Sequence, residues 1–262
     1  HNLGSGSGGS RQALKNLAAS SMLCRTRLAP APKQPLVELA LADGPTTEPK
    51  RVCMPDKLAS EAYICRIDNV LSEAECKLLI RAASTNGFAP ALLNMGHGQQ
   101  ILATDVRRSS RSIIDSPTVA SELWRRVAEH VPAVWPYLAE SRRKRTVVNL
   151  NERLRFLKYD PGDFFSPHGD GSYVRENGEA SFVTFLLYLN AGYEGGRTTF
   201  FRNDGVPFEV EANAGTVVLH DHHILHWSPP LRAGVKHILR TDVMYSKPQP
   251  AQQDGPSSGQ AV

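Results

Sequence analysis

After Arg145 the chain is cut into short runs of β-branched and aromatic residues by glycine, proline, asparagine and aspartate. Strand-type runs cover 147–149, 154–159, 181–189, 198–201, 208–211, 216–220 and 236–245. The breaks are turn sequences: Asp160-Pro161-Gly162, Asn190-Ala191-Gly192, Gly195-Gly196, Asn203-Asp204-Gly205 and Asn213-Ala214-Gly215. Many short strands in series must stack as two sheets or close on themselves, because one isolated sheet leaves its apolar face in water. The pattern predicts a mainly β fold with supporting helices, a sandwich or jelly roll.

The helices lie upstream. Ser72-Glu73-Ala74-Glu75 is a capping box, and Cys76, Leu79, Ile80 and Ala83 come after it at helical spacing. This predicts a helix that ends near Asn86-Gly87. A second helix starts at Ser116-Pro117, with serine as cap and proline at the first helical position. It carries Val119, Leu123, Val127 and Val131 and stops at Pro132.

Composition divides the 262 residues into three stretches. Residues 1–57 are a flexible, basic and Pro-rich segment, 58–246 the folded domain, and 247–262 a disordered tail. Arg11 to Lys33 holds five basic residues and no acid. That composition fits either the end of an organellar transit peptide or a disordered basic tail. The chain starts at His1 rather than Met, and no secretory segment is visible. The cytoplasm is the favoured compartment, with organellar import or the endoplasmic reticulum left open. A net charge of +4 does not demand nucleic acid, and no apolar run is long enough to span a bilayer. Cys24, Cys53, Cys65 and Cys76 include no C-x-x-C pair. Their disulfide status stays open, as does the oligomeric state.

The chemistry-bearing feature is His168-Gly169-Asp170. In an extended segment, residues two apart point to one face, so both side chains can close on one ion. The third donor must come from His220, His222, His223 or His226. His226 is set apart by its downstream neighbours: a turn, and then Lys236 entering the next strand. Two imidazoles and one carboxylate on one face of a metal are the ligand set of non-haem Fe(II) oxygenases. The other histidines are surface or supporting groups, or a separate zinc site.

Along 236–245, Lys236, Ile238, Arg240, Asp242 and Met244 share one face. A cation facing into a barrel needs a partner. A dicarboxylate cosubstrate supplies one; the alternative is that Lys236 or Arg240 pairs with Asp242 or Glu152. Tyr188 shares a face with Thr184 and Leu186, and its hydroxyl reaches either that carboxylate or a backbone group.

These residues, in this order, resemble the Fe(II)/2-oxoglutarate dioxygenases, specifically the catalytic domain of the prolyl 4-hydroxylase alpha-subunit family. The resemblance runs from about Ala62 to Tyr245, through segments 70–80, 157–170, 185–190, 195–200, 215–219, 226–236 and 239–245. It implies a double-stranded β-helix (jelly roll) core with His168, Asp170 and His226 on Fe(II). It implies Lys236 on the distal carboxylate of 2-oxoglutarate, with Arg240 sharing or taking over that role. Tyr159 and Tyr188 match family positions near the cosubstrate, and Thr184 is grouped with them. O2 is the other cosubstrate, succinate and CO2 are products, and L-ascorbate restores oxidised iron in family members. Related halogenases lack the carboxylate that Asp170 supplies, so hydroxylation is implied.

The substrate implied by the resemblance is a prolyl residue of a peptide or protein. The stretch 94–111, with Gly96, Gly98, Arg107, Arg108 and Arg111, falls where the family has a mobile substrate-covering loop; the alternative is a solvated loop. Arg142 to Arg145 is a second basic run, read as a solvated turn. Competing readings are an oxygenase of the same superfamily acting on a small molecule or nucleic acid, and a non-catalytic β-barrel binding module. The nucleic-acid reading needs an aromatic stacking platform beside a basic groove, which the sequence does not display.

Overall fold

In the computed structural model the described residues are 41, 48–52, 62–95, 99–136, 144–201 and 205–248. Most of the expected N-terminal segment and C-terminal tail, with Cys24, Cys53, Gly96, Gly98, Arg142 and Arg143, lie outside them. The chain divides into two units. In the smaller, Leu93–Asn94 pairs antiparallel with Gln100–Ile101. The helices, the two principal sheets and the metal-type cluster all belong to the larger unit.

Two helices form where their caps predict. Helix α1, Glu73–Asn86, is opened by Ser72: its hydroxyl accepts from the Glu75 amide while Glu75 accepts from the Ser72 amide. Gly87, at φ +85°, ends it. Helix α2, Pro117–Val127, is capped by Ser116. It is shorter than the apolar spacing suggests. Ala128–His130 tightens into a 3-10 turn, and Val131 is extended, as the residue before a proline prefers. The buried Arg126 guanidinium of α2 pairs with Glu75 of α1 at 2.8 Å and donates to the Val70 carbonyl at 3.0 Å.

The strands make two principal sheets, antiparallel throughout. The larger has ten strands. Its centre runs in the order Ile64–Asp68, Val217–Asp221, Ala180–Tyr188, Lys236–Tyr245, Arg153–Tyr159 and Ser110–Asp115. Lys50–Val52, placed by composition in the flexible segment 1–57, pairs on its edge with Ile64–Asp68. The smaller has five strands: Pro207–Glu209, Thr199–Phe201, His226–Ser228, Phe164–His168 and Arg107–Arg108. Arg107 therefore pairs with Phe165 and Arg108 with Phe164, and Arg111 lies in the larger sheet opposite Leu157; all three are in strands rather than in a loop.

One face of the large sheet packs on the helices. Val183, Phe185, Leu187, Leu239, Val243 and Tyr245 meet Leu79 of α1 and Leu123 of α2 in one apolar core. The other face turns toward the small sheet, where Leu186, Tyr188, Ile238 and Val218 meet Phe200 and Phe165. Alternation along Lys236–Tyr245 thus assigns odd positions to the helix-side core and even positions to the space between the sheets. Helix, sheet and sheet form a jelly roll backed by helices. Gly215 locks the join: at φ +83°, a Cβ there would lie 1.9 Å from the Leu71 carbonyl oxygen. Among the described residues no helix is long and apolar enough to cross a membrane. Cys65 and Cys76 are buried free thiols.

Candidate metal centre

His168 ends one strand of the small sheet and His226 begins the neighbouring one; the two are directly paired. Between Phe165 and His168 the register slips against Ser228 and His226, so one extra residue is accommodated there. The bulge turns His168 onto the inner face, with its ring centroid 4.3 Å from that of His226. Asp170 lies beyond the strand, so two-residue alternation does not place it. Its amide donates to the His222 carbonyl at 2.7 Å. A Cβ on Gly169 would sit 3.3 Å from that same oxygen, a tight approach that the absence of a side chain avoids.

Among the described residues, one metal-type cluster emerges: ligand atoms of His168, Asp170 and His226 all within 4.8 Å of one another. His168 Nδ1 donates to the Ser166 carbonyl at 2.7 Å, and His226 Nδ1 to the Ile224 carbonyl at 2.9 Å. A carbonyl only accepts, so both rings hold their proton on Nδ1 and present the Nε2 lone pair inward. Burial first, then the neighbouring His226, lowers the His168 pKa to about 3, which keeps the ring neutral. Burial pushes the Asp170 carboxyl up. Arg240 and the three imidazoles His226, His220 and His168 outweigh it and hold Asp170 well below the usual carboxylate range.

Asp170 is gripped at both oxygens. Thr184 Oγ1 donates to Oδ2 at 2.6 Å, and Arg240 forms an ion pair with Oδ1 at 3.1 Å. Thr184 in turn faces His222 Nδ1 at 2.9 Å, and His222 Nε2 meets Ser181 Oγ at 3.0 Å. Because Thr184 donates to Asp170, it accepts from His222. His222 Nε2 then accepts from Ser181, which itself accepts from the Tyr173 amide at 2.9 Å. Thr184, grouped with the cosubstrate residues from sequence, thus touches the metal-type carboxylate.

The two cations of the last strand differ. Arg240 lies on Asp170 and, at 3.2 Å, on Asp242. Asp242 is also paired with Arg155 at 3.0 Å, and Glu152 with Arg175. Neither acid is left for Lys236. Lys236 is fully buried and, among the described residues, makes no ion pair. Its ammonium donates to the Gly196 carbonyl and to Ser228 Oγ at 3.1 Å, with Thr198 Oγ1 at 3.4 Å. The rings of Tyr159, Tyr193 and Tyr188 lie 5.4, 5.9 and 6.0 Å away. Burial lowers the Lys236 pKa to about 7. The Tyr188 hydroxyl is fully buried beside Thr198 and, among the described residues, has no well-formed hydrogen bond. An uncompensated ammonium beside an orphaned hydroxyl is a ready receptor for a carboxylate.

Arg107, read from sequence as part of a loop, and several residues that sequence did not single out also border the site. Arg107 is buried, donates to Ser109 at 2.9 Å and lies 4.6 Å from the Phe165 ring centroid. Tyr193, Thr198 and Ser228 line the Lys236 end. The Gly195-Gly196 strand entry and the two-residue spacing from His226 were the available signals for the last two. The rings of His220 and His226 are 4.7 Å apart, whereas His223 is exposed and bonds Asp221.

No curated protein matches the chain in sequence. Among solved structures, a prolyl hydroxylase from Trichoplax adhaerens in complex with a hypoxia inducible factor oxygen degradation domain peptide fragment has a TM-score of 0.53 at 14% identity. That match covers 69% of this chain and 82% of that one, and shows the shared fold. A Pseudomonas putida prolyl-4-hydroxylase is similar with TM-score 0.49 and 19% identity, over 73% of this chain and 96% of its own. The viral collagen prolyl hydroxylase of Paramecium Bursaria Chlorella virus-1 comes next with TM-score 0.48 and 19% identity, over 70% and 96%. Residues 154–241, which contain His168, Asp170, His226 and Lys236, match the family model of the 2OG-Fe(II) oxygenase superfamily.

Proposed function

We propose that the protein is an Fe(II)- and 2-oxoglutarate-dependent dioxygenase that hydroxylates a prolyl residue of a peptide or protein, releasing succinate and CO2. One observation carries the reading. Three convergent metal-type ligands, both imidazoles pre-set to offer Nε2, share an interior with a buried ammonium that has no acidic partner. His168, Asp170 and His226 would hold the metal, and Lys236 with Tyr188 would receive the distal carboxylate of 2-oxoglutarate. When bound, the iron supplies the activation of O2 that couples oxidation of 2-oxoglutarate to hydroxylation of a C–H bond.

The chain's own residues supply the rest. Thr184 and Arg240 fix the Asp170 carboxylate. The Ser166 and Ile224 carbonyls fix the imidazole tautomers. Tyr159, Tyr188 and Tyr193 exclude water around the Lys236 ammonium, which strengthens its attraction for an anion. The choice of a prolyl peptide rests on the motif resemblance; the Trichoplax neighbour, solved with a peptide fragment, agrees with it in fold.

The test is succinate formation from 2-oxoglutarate with Fe(II), O2 and ascorbate, with and without proline-containing peptides, and His168→Ala as control. Iron-dependent succinate that rises with peptide, and a 16 Da (about one oxygen atom) gain on proline, support the reading. Absence of both iron-dependent succinate and 2-oxoglutarate binding overturns it. Succinate that never rises with any prolyl peptide overturns the substrate class.

A further inference from the structure

We propose that the substrate peptide bears an acidic side chain close to the residue that is oxidised, and that Arg107, Arg111 and Arg155 receive its carboxylate. The proposal deepens the reading of the site as an oxygenase acting on a peptide, and rests on it. Strand register brings these cations together. Arg155 is directly opposite Arg240, so both side chains leave the same face of the large sheet, the face that carries Arg240 to Asp170. Arg111 is directly opposite Leu157, which belongs to the same inner face. Arg107 reaches in from the small sheet. Its guanidinium lies on the Phe165 ring, and that ring stacks on His168 with centroids 3.5 Å apart.

The charges in this group do not balance. Arg240 pairs with Asp170 and Asp242, and Arg155 pairs with Asp242. Arg107 is buried and forms no ion pair among the described residues; its polar partners are the hydroxyls of Ser109 and Tyr159. Even with Arg111 left aside, three guanidinium groups share two carboxylates, and Asp170 is the one that serves the metal. Burial first, then the neighbouring Arg107, Arg155, Arg153 and Arg240, lowers the Arg111 pKa to about 10, so like charges are crowded here. Partly buried cations in excess are costly until an anion joins them. A metal ion adds positive charge and relieves none of this. The distal carboxylate of 2-oxoglutarate, held at Lys236, does not reach the group either: Arg240 lies four residues further, about 13 Å along an extended strand. The group opens to solvent, with side-chain exposures of 17% at Arg155 and 20% at Arg240, so the substrate can bring the missing anion. A carboxylate matches the planar guanidinium fork.

The experiment measures binding of labelled proline peptides to the full chain by fluorescence anisotropy, with succinate formation followed in parallel. Peptides with aspartate or glutamate beside the proline are compared with their asparagine and glutamine counterparts and with a phosphoserine counterpart. Wild type is expected to bind the acidic peptides about tenfold or more tighter than the amides. That preference should shrink as salt is raised. Arg107→Gln should bring the ratio close to one, through the KM for peptide rather than the KM for 2-oxoglutarate. Arg111→Gln, at a half-buried side chain, is the second variant if the first misfolds. Equal affinity for acid and amide in wild type overturns the proposal, as does a preference that both variants keep. A preference for phosphoserine alone overturns it by giving the site to phosphate. A rise in the KM for 2-oxoglutarate in place of the KM for peptide overturns it by giving the arginines to the cosubstrate. The two readings fail separately. If no iron-dependent succinate forms while acidic peptides still bind through Arg107, the oxygenase reading falls and the anion site stands; if succinate forms but peptide charge is without effect, only the anion site falls.

Discussion

Arg240 and Asp170 form an ion pair at 3.1 Å, and this contact divides the labour between the two cations of the last strand. Lys236, four residues earlier on the same face, has no acid to pair with among the described residues. Lys236→Ala is therefore expected to raise the apparent KM for 2-oxoglutarate at least tenfold, about 1.4 kcal/mol of lost binding or more. Arg240→Ala should leave that KM closer to wild type and weaken metal binding instead. Steady-state succinate kinetics and metal titration on both variants check the order; the reverse order would exchange the two roles.

Thr184 donates to the metal-type carboxylate and accepts from His222, so it acts through Asp170. Thr184→Val keeps the shape and removes both bonds. Metal affinity should fall about 10- to 100-fold, the usual cost of losing a group that orients a ligand. Thr184→Ser should restore most of it. A valine variant with unchanged affinity would show the bond to be dispensable.

The ammonium of Lys236 loses its proton near pH 7 because burial disfavours its charge. A bound carboxylate restores the charged form, so binding above that pH takes up a proton. Affinity for 2-oxoglutarate should be greatest below about pH 7 and fall by up to tenfold per unit above it. Lys236→Arg, which stays charged, should flatten this slope. The stability effect has the opposite sign. Between about pH 7 and 10 the unfolded chain binds more protons at this position, so stability from this group rises with pH. Calorimetric binding and urea titrations of wild type and Lys236→Met across that range measure both.

Glu75 and Arg126 are a buried pair between the two helices, with side-chain exposures of 2% and 1%. Burial alone would raise the Glu75 carboxyl; Arg126 and the Ser72 amide outweigh it and lower it. Arg126→Met leaves that carboxylate buried and uncompensated and should cost about 3–5 kcal/mol, read by denaturant unfolding. Succinate turnover per folded molecule should not change, because neither residue reaches the metal centre.

Most of the strands after Arg145 were legible because their apolar runs are continuous and their turns carry glycine or asparagine. Both helices were legible from their caps. Ser110–Asp115 and Ile64–Asp68 were not, because charged and small polar residues interrupt them and pairing with distant strands makes them extended. Phe164–His168 was hidden by Pro167, which the bulge tolerates. In the site, spacing pointed to His168, Asp170, His226 and Lys236. It could not give the Asp170 contact of Arg240, the burial of Arg107 or the orientation of His220, since each depends on residues brought together across sheets. Thr184 was picked out for the right strand face but linked to a different neighbour.

The segment Lys236–Tyr245 is a wall between two interiors, and its two sides meet different demands. Leu239, Val243 and Tyr245 face the helices, where a change of size alters melting. Lys236 and Arg240 face the metal-type ligands, where a change of charge alters chemistry. Two traits are therefore encoded in alternate letters of one stretch of ten residues. Resizing a residue on the helix side and recharging one on the metal side are therefore separable interventions on one strand, apart from the stability that the buried Lys236 charge itself costs.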